Sequence, residues 1–143
     1  MKNLMLNILL VEDDEADVMN VQQAFRSGHI TNPLYIANDG IAALAMLRGE
    51  PGQSPVIPAE RRIILLDLNL PQMTGLEFLQ QLRADPTIAH IPVVVVAASK
   101  QERDLIGAYG FNVAGYIQKT VNFNIFTELL VTFNDYWTSC ELS

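Results

Sequence analysis

The chain has 143 residues, enough for one domain built on one hydrophobic core. Half of its residues are hydrophobic and 17% are charged, which excludes an intrinsically disordered chain. Sixteen acidic against nine basic side chains leave a formal charge of −7, which repels nucleic-acid phosphates and argues against a nucleic-acid partner.

Strand-like and helix-like segments alternate along the chain. Leu6 to Val11 is a continuous apolar run, as expected of a parallel strand buried on both faces. It ends in acidic residues and has no small-residue cleavage site, so it reads as a strand and not as a signal peptide. A helix follows from about Glu15 to Arg26, with Val18, Val21 and Phe25 on one face, stopped by Ser27-Gly28. Pro33 to Ala37 is a second strand. Asn38-Asp39-Gly40 then offers caps for a helix carrying Ile41, Leu44 and Leu47. Gly49 to Glu60 contains three prolines and two glycines and reads as a long loop.

The third strand is Ile63 to Asp67. A loop from Asn69 to Thr74 leads to a helix from Gly75 to Ala84, with Leu76, Leu79 and Leu82 expected inward. Pro92 to Ala97 is a fourth strand and Gln101 to Tyr109 a short helix. Val113 to Gln118 is the fifth strand. A last helix runs from about Asn124 to about Tyr136, where a short tail carrying the Tyr136-Trp137 pair is expected to begin. No apolar stretch approaches the ~20 residues that a membrane span needs. The chain is therefore expected to be cytoplasmic, with no membrane partner. One cysteine, Cys140, cannot form an internal disulfide.

Five strand–helix units predict an α/β fold, a parallel sheet covered by helices on both faces. Ligands of such sheets bind beyond the C-terminal ends of the strands, where strand order reverses. The first strand ends in Glu12-Asp13-Asp14, the third in Asp67, the fourth in Ala97-Ala98-Ser99 and the fifth in Gln118-Lys119. Several carboxylates and one lysine thus converge on one rim. Crowded carboxylates repel unless something compensates them. Mg2+ compensates, because it takes hard oxygen ligands and keeps some of its waters. Asp13 and Asp67 are candidates to give one oxygen each, Glu12 to act through a bound water, and Asn69 to give its backbone carbonyl. Asp67 would then be an oxygen nucleophile toward a phosphoryl group, with Lys119 neutralising the transferring oxygens.

The segments Leu9 to Asp14, Leu65 to Pro71 with Gly75, Pro92 to Ala97 and Gly115 to Lys119, in this order, resemble the receiver domain of two-component response regulators. The resemblance covers nearly the whole chain. It implies a flavodoxin-like (βα)5 sandwich with strand order 2-1-3-4-5, and a single receiver across residues 1–143 with no output domain. It makes Asp67 the phosphoacceptor, Glu12 and Asp13 the acidic pair, Lys119 the phosphate contact and Tyr116 the aromatic whose rotamer tracks activation. The implied partner is a sensor histidine kinase. The loop Gly49 to Glu60, the stretch Ala108 to Val113, Lys119-Thr120 and Tyr136-Trp137 further resemble the stand-alone regulators of cyanobacterial and bacterial phytochromes. That narrower likeness implies a phytochrome as the kinase and a homodimer using the fourth and fifth units and the C-terminal aromatics.

The sequence departs from the receiver pattern twice. Ala97 stands where the fourth strand usually offers a Thr or Ser hydroxyl to the phosphoryl group, and alanine cannot donate. Ser99, two residues on, points the same way if the strand stays extended and is the candidate substitute. Thr120 follows Lys119 where receivers commonly place proline, so a trans bond is expected there.

Three other functions compete with phosphoryl relay. Ala97 favours a receiver-shaped binding module that signals without phosphorylation. A flavodoxin-like electron carrier is disfavoured because Glu12 to Glu15 would repel a flavin phosphate. An aspartyl phosphatase is disfavoured because Asn69 is not an acid. The expected protein is a signalling protein and not a metabolic enzyme.

Overall fold

The computed structural model describes residues 5–49, 51–68, 70, 73–119, 122–140 and 142, with the side chains of 105, 106, 108 and 109 left aside. Five strands alternate with five helices: β1 (Asn7–Val11), α1 (Glu15–Ser27), β2 (Leu34–Ala37), α2 (Gly40–Arg48), β3 (Arg62–Asp67), α3 (Gly75–Ala84), β4 (Val93–Ala97), α4 (Lys100–Tyr109), β5 (Gly115–Gln118) and α5 (Phe123–Ser139). All pairings are parallel and the sheet order is β2-β1-β3-β4-β5. The alternation of segments predicts the covered parallel sheet, and the strand order is the flavodoxin-like one that the receiver resemblance implies.

Alternation along each strand divides the core into two layers. Leu9 and Val11, Ile64 and Leu66, and Val93, Val95 and Ala97 face one way, against Leu44 and Leu47 of α2 and Phe78, Leu79 and Leu82 of α3. Ile8 and Leu10, Ile63 and Leu65, and Val94, Val96 and Ile117 face the other way, against Val21, Ala24 and Phe25 of α1 and Phe126, Leu130 and Phe133 of α5. Strands with apolar residues on both faces can only be interior strands of a covered sheet, which is why β1, β3 and β4 are buried throughout.

In two helices one apolar residue of the sequence pattern falls at or beyond the edge of the buried stripe. In α2 the buried residues are Gly40, Ala43, Leu44 and Leu47, while Ile41 is 53% exposed. In α3 they are Gly75, Phe78, Leu79 and Leu82, while Leu76 is only half-buried at the edge of the core. The reason is the same in both. At about 100° per residue, the second helical position lies roughly 100° round from a face centred on the first, fourth, fifth and eighth. The last helix also runs further than expected. Tyr136 and Trp137 lie inside α5, because the apolar spacing Phe126, Leu130, Phe133, Trp137 continues the helical period and no proline or glycine interrupts it. Trp137 packs on the second layer, and Tyr136 is 62% exposed with its ring edge-on to Trp137. Among the described residues no helix is long and apolar enough to cross a membrane.

Arginines tie the loops down. Arg62 donates to the carbonyls of Ile57 and Pro58, which folds the loop before β3 inward and buries Ile57. Arg83 donates to the carbonyls of Ala89, Ile91, Phe111 and Asn112, joining the approaches to β4 and β5.

Candidate functional site

The C-terminal ends of β1, β3 and β4 and the residue beyond β5 meet on one rim. At the end of β1, the Glu12 N–H donates to the Ala37 carbonyl, continuing the strand ladder one step past Val11. The Glu12 carboxylate then accepts the Asp14 N–H at 3.1 Å. Asp14 is the N-cap of α1 and accepts from the N–H groups of Ala16 and Asp17, so it serves the helix and not the rim. Asp13 is exposed between them.

Asp67 is the last residue of β3 and lies beside Val96 of β4. It is buried, as is Glu12. One carboxylate oxygen from each of Glu12, Asp13 and Asp67 lies within 4.8 Å of the others. The approach of α3 to this end of the sheet requires a glycine. A Cβ on Gly75 would stand 2.8 Å from Leu68 Cα and 3.2 Å from the Asp67 carbonyl, while the Gly75 N–H donates to the Leu68 carbonyl.

Lys119 reaches the same point from the far side. Its backbone N–H donates to the Ala97 carbonyl at 2.8 Å, which fixes where the side chain starts. Its Nζ stands 3.1 Å from Asp67 Oδ2, 3.6 Å from Glu12 Oε2 and 2.9 Å from Asp17 Oδ2. Burial works against the ammonium charge, but the hydrogen bonds to Asp17 and Asp67 and the charges of Asp67 and Glu12 raise its pKa above the usual lysine value. Burial, the contact with the Asp67 carboxyl and the charge of Asp67 push Glu12 up to about 8, against the Asp14 N–H and Lys119, which favour the carboxylate.

Four carboxyl groups, from Glu12, Asp13, Asp17 and Asp67, stand around a site with one lysine. A small divalent cation fits the set: all the donors are hard oxygens, they are close together, and Asp13 leaves one side open to the waters such a cation keeps. Asn69, expected to add its carbonyl, lies outside the described residues, as does Thr120 beyond Lys119.

The remaining expected positions fall around this centre. Ala97 ends β4, 3% exposed, and presents only a methyl group. Ser99 is the N-cap of α4, and its hydroxyl accepts the Glu102 N–H at 3.2 Å. Glu102 in turn accepts the Ala98 N–H at 2.6 Å, so the turn after β4 is braced from both sides. Tyr116 stands on β5 opposite Val95, 36% exposed, and a Cβ added at Gly107 of α4 would lie 3.8 Å from its hydroxyl. Sequence reasoning missed Asp17. The signal was available, because Asp17 precedes the buried Val21 by one helical turn and so lies on the sheet-facing side of α1.

Residues 8–130 match the response regulator receiver domain family. The response regulator Rcp1 of Synechocystis sp. is 38% identical over 132 residues, spanning 91% of this chain and 87% of Rcp1. The structure of the phosphorylated cyanobacterial phytochrome response regulator RcpA is similar at a TM-score of 0.79 and 34% identity, covering 96% of this chain and 98% of that one. The Mn2+-bound form of response regulator Rcp1 is similar at a TM-score of 0.78 and 34% identity, covering 96% and 99%. The match runs through the strands whose ends carry the acids and the lysine, and the chain belongs to the response regulator receiver domain family.

Proposed function

We propose that Asp67 is the phosphoacceptor of this receiver and that a sensor histidine kinase is its donor. One observation carries the reading: a buried carboxylate lies both 3.1 Å from Lys119 and within the oxygen cluster it forms with Glu12 and Asp13. Attack by an Asp67 oxygen on phosphorus forms the acyl phosphate and breaks the P–N bond to the kinase imidazole, which keeps the bonding electron pair and takes up a proton from water. Lys119 faces the oxygens of the incoming group, so the chain's part is to position the reactants and to offset charge. Glu12, Asp13 and Asp67 would hold Mg2+, which when bound supplies positive charge beside the phosphoryl oxygens. Relatives that regulate phytochrome signalling support a phytochrome as the kinase. We place the homodimer contact of this chain on α4, β5 and α5, where Tyr116, Ile125, Leu129 and Tyr136 are exposed.

Incubation with acetyl phosphate and Mg2+ tests the assignment. Intact mass should rise by one phosphoryl group in the wild type and stay unchanged in Asp67→Asn. Phosphotransfer from candidate kinases, a phytochrome among them, then identifies the donor.

Ala97 favours a second reading, a receiver that recognises its partner without phosphorylation, since the strand end beside Asp67 presents no hydroxyl. A wild type that gains no phosphoryl mass from either donor supports that reading over the first.

A further inference from the structure

Three carboxylates surround the Lys119 ammonium, and they are not equivalent. Asp67 and Glu12 belong to the oxygen cluster that fits a divalent cation. Asp17 does not; it comes from the first turn of α1 and makes the shortest of the three contacts, 2.9 Å. A lysine ammonium and a divalent cation repel each other, and both draw on Asp67 and Glu12. A cavity of about 60 Å³, lined by Asn20, Val21 and Phe126 with Asp17 and Lys119, lies on the α1 side of this group. It leaves the lysine side chain room to move, so its end is fixed by charge and hydrogen bonding and not by close packing.

We propose that Asp17 is a positioning residue that holds Lys119 toward α1, leaving the carboxylates of Glu12 and Asp67 available to the cation. Without Asp17 the ammonium, already 3.1 Å from Asp67 and 3.6 Å from Glu12, has only those two carboxylates to pair with and competes with the cation more strongly. With it, the ammonium shares its charge among three carboxylates and takes less of Asp67 and Glu12 from the cation. The proposal rests on the reading of Glu12, Asp13 and Asp67 as cation ligands.

Calorimetric titration of the full chain with MgCl2 tests it through a double-mutant cycle. A charged hydrogen bond between partly exposed groups sets the scale. Asp17→Asn should raise the Mg2+ dissociation constant by about threefold to tenfold. In a Lys119→Met background the same substitution should change it by less than about twofold. Asp17→Glu should restore binding close to the wild-type value, and Asp17→Ser should repeat the loss, so that a folding defect in one variant does not decide the result. Equal weakening with and without Lys119 overturns the proposal, because Asp17 would then act on the cation through its own charge. No weakening in Asp17→Asn overturns it as well. A wild type that takes up no Mg2+ overturns the cation site itself, a failure visible before any variant is compared.

Discussion

The backbone N–H of Lys119 donates to the Ala97 carbonyl at 2.8 Å, tying the end of β5 to the end of β4 next to Asp67. The lysine and the alanine are therefore held in register by main chain, whatever their side chains do. Ala97 is the place where this register lacks a side-chain donor.

Ala97→Thr adds that donor at a buried position beside Asp67. A hydrogen bond to a charged group is worth about 1.5–3 kcal/mol. Phosphorylated Ala97→Thr should show larger phosphorylation-dependent changes than phosphorylated wild type. The checks are the dimer dissociation constant and the fluorescence or NMR environment of Tyr116. Identical responses in matched phosphorylated samples would show that the missing hydroxyl does not limit the switch.

Removing the metal should expose the repulsion among the acids. In EDTA, Asp67→Asn removes one acid from the cluster of Glu12, Asp13 and Asp67, and Lys119 keeps Asp17. Relief of about 1 kcal/mol should raise its Tm by roughly 3 °C over metal-free wild type. Mg2+ at a hundred times its dissociation constant should stabilise the wild type by about 2.7 kcal/mol, roughly 8 °C. Asp67→Asn should lose most of that gain.

Gly75→Ala should disturb the phosphoacceptor from behind. The new Cβ would stand 2.8 Å from Leu68 Cα, and backbone cannot yield as a flexible side-chain tip does. A cost of about 1–3 kcal/mol in thermal unfolding is expected, with slower phosphoryl uptake from acetyl phosphate. Gly115→Ala, whose Cβ would meet nothing within 4 Å, serves as the control and should stay within about 0.5 kcal/mol of wild type.

Arg83→Lys should destabilise the chain although charge is kept. The guanidinium serves four carbonyls on two loops, and an ammonium lacks both the fork and the number of donors. Urea unfolding should show a loss of about 2 kcal/mol.

Acid should act through Asp85. The Thr87 hydroxyl and N–H and the Arg48 side chain hold its carboxyl down at about 2, below its ordinary 3.8. A depressed folded-state pKa gives stability that is complete above about pH 4 and is lost as pH falls through 2. The Tm difference between wild type and Asp85→Asn should therefore be constant from pH 7 to pH 4 and shrink below it. A difference that persists unchanged at pH 2.5 would refute the assignment.

The parallel sheet and its two-sided covering were legible in the sequence because apolar runs such as Ile63 to Leu66 and Val93 to Val96 have no polar face to expose. Glu12, Asp13, Asp67 and Lys119 were legible for a related reason. Charged residues placed directly after such strands must stand at the strand ends, and parallel strands put those ends on one rim. Helix faces were less legible. Ile41 and Leu76 are apolar and near the right spacing, yet packing selects the stripe that buries Gly40 and Gly75. The division of roles among neighbouring acids was less legible still. Asp13, Asp14 and Asp17 are chemically the same residue, and only the path of the chain out of β1 makes one a rim acid, one a helix cap and one the partner of Lys119. Local pattern fixes which residues must lie at an edge, because burial depends on period. Which partner each one takes depends on distances between elements far apart in sequence, and only tertiary packing sets those.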